Sequence, residues 1–393
     1  MKKNLTVRYS VLQFSYWAAA MGAASFATTY LLEKGLSSGL VGILLAASGL
    51  LACLTQPFMA AYADRAKKYV LPQLMVLLSC LCILCFALQL LPGLPIIVLG
   101  ILYILGMWIS DATHSLINAL NIACNKAGYQ INFGVARSFG SVSSGLAALA
   151  LGYIIAKLGT NWMFLFLIAF RLICIFAIIG FPKLEKQLSD PAVQDRSCSI
   201  PEFFLCYKWY CLSLLGIGFL GMYHAMTESY MIVIMERLGG NSSNVGTALF
   251  ISSLCGAPAV FCFSFFHKRM KETSLMKIAA LTFLLKSVLF CFAPSIPCIY
   301  LFQTLQATSY GFLGPAQVYF AGNRVRPVDM IKGQAFVTAA YSLGCSGGNF
   351  VGGQLLNFGV DAMLLAGIIT AALGTVILVL TVNKKDLIRE VLS

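Results

Sequence analysis

Apolar residues run through this chain in twelve stretches, most of them 20 residues or longer, separated by short polar segments. A helix needs about 20 residues to cross a hydrocarbon core. The pattern therefore predicts spans near 10–32, 38–62, 70–92, 95–122, 134–157, 161–182, 208–235, 244–266, 274–293, 296–320, 334–357 and 361–382. The fold class expected is an all-α polytopic membrane protein with twelve transmembrane helices. An even number of crossings puts both ends on one face. The first apolar run exceeds the roughly 7–15 residues of a signal-peptide core, so it is expected to remain as the first span.

Charge sets the orientation. Lys2, Lys3, Arg8, Arg65, Lys67, Lys68, Lys183, Lys268, Arg324 and Lys384 fall on the face shared by the two ends, whereas the opposite face holds Lys34, Lys157 and Arg237. By the positive-inside rule the first face is cytoplasmic, so both termini are expected there. The net charge of +13 then reflects topology and contact with anionic inner-leaflet lipid, and no nucleic-acid partner is expected. Only 10% of residues are charged and 59% are hydrophobic, against roughly 25% charged in soluble chains. The short loops leave no room for a soluble domain. The 14 cysteines, Cys80, Cys82 and Cys85 among them, lie mostly within spans without paired loop spacing, and read as small apolar free thiols. No P-loop and no His-Glu-x-x-His zinc helix occurs, so no cofactor or metal is expected.

The longest hydrophilic stretch, from Lys183 to Pro201, divides six spans from six. It implies an N-terminal six-helix bundle over 1–182, a cytoplasmic linker over 183–204 and a C-terminal bundle over 205–393. A weak internal repeat agrees: "GVARSFGSVSSGLAALALGYIIAKLG" from Gly134 and "GQAFVTAAYSLGCSGGNFVGGQLLNFG" from Gly333 each follow a basic loop. Two halves related by an axis along the membrane normal fit that repeat. Ser141, Gly145, Ala148 and Gly152 form one small-residue row, and Gly344, Gly348 and Gly352 another; such rows let helices approach closely.

Polar groups are costly in hydrocarbon and therefore face a cavity or a partner. Asp111, His114, Asn118, Asn121 and Asn125 recur at spacings of 3, 4, 3 and 4, which puts them on one face of the fourth span, as cavity lining or as glue between helices. His224 and Glu228 lie one turn apart on the seventh span, where an imidazole and a carboxylate can share a proton or form a static pair. Arg137, with Ser141 and Ser144 on its face, suits bidentate recognition of a carboxylate or of vicinal hydroxyls. Arg171 and Lys286 are substrate contacts or partners of Asp111 or Glu228. Gln303, Gln306, Tyr310 and Gln317 form a second stripe, continued by Ser342 and Asn349 on the eleventh span. With Tyr16, Trp17, Trp108 and Tyr341 nearby in pattern, these neutral groups suit a hydroxyl-rich solute.

The segment "MGAASFATTYLLEKGLSSGLVGILLAASGLLACLTQPFMAAYADRAKKY" resembles the first two spans of lactose permease and its relatives in the major facilitator superfamily, with Gly42, Gln56, Pro57, Asp64, Lys68 and Tyr69 in matching places. "NFGVARSFGSV" resembles the family's fifth-span motif, whose arginine, matched by Arg137, contacts substrate. The resemblance implies that Asp64, Arg65 and Lys68 belong to a gating loop. This chain departs from the pattern elsewhere. It offers Asn118 or Ala119 where sugar-binding members place an acid, and Gln303, Gln306 and Ser309 where they carry a Lys, His and Glu series. Lys286 resembles a cationic position of the ninth span, and His224 falls where the family has an acid.

The reading is a secondary transporter of a bacterial-type plasma membrane, a functional monomer alternating access between two bundles, with proton-coupled uptake of a sugar, oligosaccharide, nucleoside or similar small polar solute. Substrate contacts are assigned to Arg137, Asn118, Asn121, Ser141, Tyr16, Trp17, Gln303, Gln306, Tyr341 and Asn349. Proton coupling is assigned to Glu228, His224, Asp111, His114 and Lys286. Efflux by antiport is the main rival and would favour a large apolar aromatic cavity. An intramembrane enzyme would need a nucleophile or metal cluster, and a sensor a signalling domain; neither is visible.

Overall fold

The computed structural model describes residues 4–65, 70–182, 198–384 and 386. These residues are helical almost throughout, and nine of their helices are long and apolar enough to cross a membrane. Large apolar side chains such as Ile97, Phe176, Phe261 and Ile331 lie exposed on the helix surfaces. So much exposed apolar surface would drive association in water and is ordinary against lipid.

Each predicted stretch falls on helix, but four of them are broken. The first is α1 (Thr6–Ser25) and α2 (Ala27–Glu33), parted at Phe26. Then follow α3 (Ser38–Arg65), α4 (Val70–Leu88), α5 (Ile96–Lys126), α6 (Phe133–Leu158) and α7 (Asn161–Ile179). A short α8 (Ile200–Cys206) precedes the seventh stretch, which is α9 (Lys208–Ser229) and α10 (Met231–Arg237). The eighth is α11 (Ser242–Phe261), carrying Pro258, and α12 (Phe263–His267). After α13 (Glu272–Cys291), the tenth comprises α14 (Ile296–Gln303), a 3-10 turn Thr304–Ala307 and α15 (Tyr310–Arg324). The chain closes with α16 (Met330–Leu355) and α17 (Val360–Thr381).

Two compact units form. The first comprises Met1–Leu188 with Glu228–Leu254, the second Ser189–Thr227 with Cys255–Ser393. In the first unit α1 packs on α5, α6 and α7. Buried tyrosines spend their hydroxyls on backbone carbonyls within α5: Tyr9 donates to Ile117 O at 3.1 Å and Tyr16 to Ser110 O at 3.1 Å, both tying α1 to α5. Such bonds remove the cost of a polar group away from water. The small-residue row of α6 meets α11 backbone to backbone: a Cβ at Gly152 would lie 2.6 Å from Ser242 O, and one at Gly246 2.5 Å from Ala148 O.

In the second unit α9 is wedged between α16 and α17 on glycines. A Cβ at Gly344 or Gly348 would collide with the carbonyls of Gly218 and Met222, and one at Gly216 would lie 2.8 Å from Leu378. At Gly344 and Gly348 the row thus works through close backbone approach. The start of α9 is held by Asp386, whose carboxylate accepts from Trp209 N at 2.6 Å and Tyr210 N at 3.1 Å, satisfying two amides that no helical turn can reach. All 14 cysteines are free. Cys82 and Cys85 are buried as expected of small apolar groups, whereas Cys80 and Cys262 are exposed.

Candidate functional site

The polar groups of the first unit gather around one indole. Trp17 on α1 donates from Nε1 to Gln13 Oε1 at 3.0 Å, and Gln13, itself fully buried, donates to the Tyr9 hydroxyl at 3.0 Å. This chain fixes the indole plane. The Arg137 guanidinium of α6 lies 4.3 Å from the Trp17 ring centroid, close enough for a cation–π contact, and Arg137 Nη1 donates to Ser141 Oγ at 3.3 Å. The glycine of the same motif makes room: a Cβ at Gly140 would stand 2.6 Å from Trp17 Cδ1. His114 of α5 stacks on Tyr16 at 5.5 Å and meets Trp17 edge-on at 5.1 Å. Asn118 Nδ2 stands 3.5 Å from His114 Nε2, and Asn118 Oδ1 has no hydrogen-bond partner among the described residues.

The stripe on α5 is real as a face. Asp111, His114, Asn118 and Asn121 are half-buried, whereas Leu116, Ile117 and Leu120 on the other side are fully buried. Its two ends differ from its middle. Asn121 accepts from Asn125 at 3.0 Å, and Asn125 accepts from Ile131 N at 3.2 Å, so this end braces the turn into α6. At the other end Asp111 follows Ser110, the residue that Arg171 reaches. Arg171 is buried with its guanidinium 5.0 Å from the Tyr16 ring centroid and donates to Ser110 Oγ; its Nε and Nη1 have no hydrogen-bond partner among the described residues.

The polar groups of the second unit gather where the tenth stretch is broken. The 3-10 turn places Gln306 between two helices: Lys286 Nζ of α13 donates to Gln306 Oε1 at 2.9 Å, and Gln306 Nε2 lies 3.2 Å from His224 Nε2 of α9. His224 stacks on Tyr310 at 5.4 Å and is flanked by Phe283 at 6.0 Å and Tyr341 at 6.2 Å. Gly311 permits the break to pack, since a Cβ there would lie 2.9 Å from Ala259 and 3.1 Å from Gln306 O. Gln303 is fully buried, and neither atom of its amide has a hydrogen-bond partner among the described residues. Interrupted helices at membrane depth occur where they are covered by protein or line a cavity.

The structure therefore brings Tyr16, Trp17, His114, Asn118, Arg137 and Ser141 into one cluster, and His224, Lys286, Gln306 and Tyr341 into another. Ser144 does not join Arg137, because it donates to Gly140 O at 2.9 Å. Asn349 lies half-buried two turns beyond Tyr341 on α16, and Glu228 lies half-buried one turn beyond His224 on α9. Asp64 and Arg65 end α3, and Lys68 lies outside the described residues. Sequence reasoning missed Gln13, although it stands four residues before Trp17 on the same helical face. It also missed the break at residues 304–309, for which Gly311, Gly314 and Pro315 were the available signal.

No curated protein sequence matches the chain. Among solved structures, a point mutant of the nucleoside transporter NupG aligns at a TM-score of 0.78, with 15% identity over 97% of this chain and 100% of that one. A bacterial homologue of the human lysosomal transporter Spinster, inward-facing and unoccupied, aligns at 0.70 with 15% identity over 96% of each chain. The human organic anion transporter MFSD10 aligns at 0.64 with 15% identity over 95% of this chain and 99% of that one. At such identities the likeness concerns the fold. The profile of the MFS_1 like family, however, matches residues 6–366, and the chain is accordingly a multi-pass membrane protein belonging to this family of the major facilitator superfamily.

Proposed function

We propose that the protein is a proton-coupled secondary transporter that takes up a small polar solute by alternating access between two six-helix bundles. It has twelve spans and cytoplasmic termini, and acts as a monomer in a bacterial-type plasma membrane. The observation that carries this reading is the Trp17–Arg137 cluster: an indole held flat by Gln13, covered by a guanidinium, and bordered by His114, Asn118 and Ser141. An aromatic plane beside a planar donor fork and neutral amides offers stacking to a flat ring and paired hydrogen bonds to hydroxyls or an anion. A nucleoside has both, and a sugar offers its vicinal hydroxyls and the C–H face of its ring. The name of the NupG neighbour, a nucleoside transporter, agrees with the first choice.

The test is ligand-induced thermal stabilisation of the full chain in nanodiscs, screened with nucleosides, mono- and disaccharides and small organic acids. Uptake of the stabilising compound into proteoliposomes is then followed with and without an inward proton gradient. Arg137→Lys keeps the charge and loses the fork, so binding is expected to weaken at least about tenfold, one lost charged hydrogen bond, with an unchanged melting temperature of the apo-protein. Wild-type affinity in Arg137→Lys would remove Arg137 from the site.

A further inference from the structure

We infer that Gln306 is a positioning residue that makes protonation of His224 and the charge of Lys286 mutually exclusive, an inference that rests on the proton-coupled reading above. A lysine ammonium only donates. The amide end facing Lys286 Nζ at 2.9 Å is therefore the carbonyl Oε1, and the end facing His224 Nε2 at 3.2 Å is the NH2 group. That group donates, so His224 Nε2 must offer a lone pair. The imidazole is then neutral with its proton on Nδ1.

An imidazolium has two N–H donors and no acceptor. A proton arriving at His224 Nε2 takes the lone pair that holds the Gln306 amide, and the amide turns over to present Oε1 to His224. The same rotation aims its NH2 at Lys286, donor against donor, which a neutral amine tolerates and an ammonium does not. The pair thus holds one proton at either place: one enters at His224 Nε2, and the one on Lys286 Nζ leaves to water. Repulsion between two buried cations works in the same direction, and Lys286 and Gln306 are only 1% and 7% exposed. The titratable groups facing the imidazole are Lys286 on α13, Tyr310 on α15, and Tyr341 with Cys345 beside it on α16; Tyr223 and Glu228 lie near it on α9 itself. The break in the tenth stretch is what brings an amide to this point, since Gln306 lies in the 3-10 turn.

The chain has three histidines, so nitrogen-15 NMR of histidine-labelled protein in nanodiscs can resolve each ring, with His114→Gln and His267→Gln supplying assignments. In the wild type at neutral pH, His224 is expected as the Nδ1–H tautomer. In Gln306→Met the lock is gone, and the Nε2–H tautomer usual for free imidazole should appear. In Lys286→Met the amide turns freely, and the proton affinity of His224 should rise about tenfold, one pKa unit for loss of a neighbouring cation. An Nε2–H tautomer in the wild type overturns the inference on unaltered protein. So does a tautomer unchanged in Gln306→Met. Proton-gradient uptake is measured separately: a His224 that behaves as described in a protein whose transport ignores the proton gradient would sink the coupled reading and leave the amide lock standing.

Discussion

Asp329, between α15 and α16, holds the end of the 183–204 segment to the second unit, and its removal has a size that can be worked out. The side chain is fully buried. Its Oδ1 accepts from Cys198 N at 2.9 Å; its Oδ2 accepts from Arg326 Nη2 at 2.9 Å and from the Tyr207 hydroxyl at 3.1 Å. In Asp329→Ala the amide of Cys198 and the O–H of Tyr207 lose their acceptor in a dry place, at about 1–3 kcal/mol each, although the Tyr207 oxygen still accepts from Arg326 N and Nε. Arg326 is 30% exposed and regains water, so its lost ion pair adds at most about 1 kcal/mol. Lys332 still donates to Cys198 O, which keeps the segment from leaving. A loss of about 3 kcal/mol results, or about 6–12 °C in melting temperature for a unit of this size. A second readout follows from the thiol. Burial, and then Asp329 beside it, raise the Cys198 thiol above the usual range while Arg326 Nη2 donates to its sulfur at 3.0 Å. Removing the carboxylate leaves the arginine and opens the site, so more thiolate forms and Cys198 should be alkylated faster at pH 8, as read by peptide mass mapping. A melting temperature within 2 °C of wild type, by the same scale, together with unchanged Cys198 labelling would show that Asp329 does not hold Cys198 and Tyr207 in place.

Two further predictions concern the span interiors. Cysteines introduced at Asn118 and Asn121 should react with small hydrophilic thiol reagents and be protected by ligand, whereas cysteines at Leu116 and Leu120, both fully buried, should react slowly; equal rates at all four positions would remove the stripe as cavity lining. Glu228→Gln is expected to abolish uphill accumulation and flatten the pH dependence of binding while substrate exchange persists, because a group that no longer titrates cannot link proton and solute affinity. Uphill transport by that variant with its pH dependence intact would pass the role to Asp111.

What could be read from the sequence divides by range. The helices follow from apolar length, and the face of α5 from spacing alone, because Asn118 and Leu120 differ by 200° around a helix of 3.6 residues per turn. Arg137 beside Ser141 is also a spacing result, four residues on one helix. Trp17 against Arg137 is not: the contact needs α1 and α6 to approach at Gly140, and the sequence offers only the missing Cβ as a hint. The tenth stretch is the sharper case. Its apolar pattern is continuous, so length predicts one helix, yet Ser309 adopts φ −81° and ψ −91° and the helix restarts at Tyr310. Pro315 has no N–H to give the carbonyl of Gly311, and Gly311 itself is the residue on which Ala259 closes. Local weakness and tertiary contact coincide there. The polar residues read as a regular stripe, Gln303, Gln306 and Tyr310, consequently separate: Gln303 ends α14, Tyr310 stacks on His224, and Gln306 joins α9 to α13. A periodic reading assigns such residues one face and one role. The broken backbone gives them three, and it does so at the place where a side-chain amide can touch a lysine and a histidine at once.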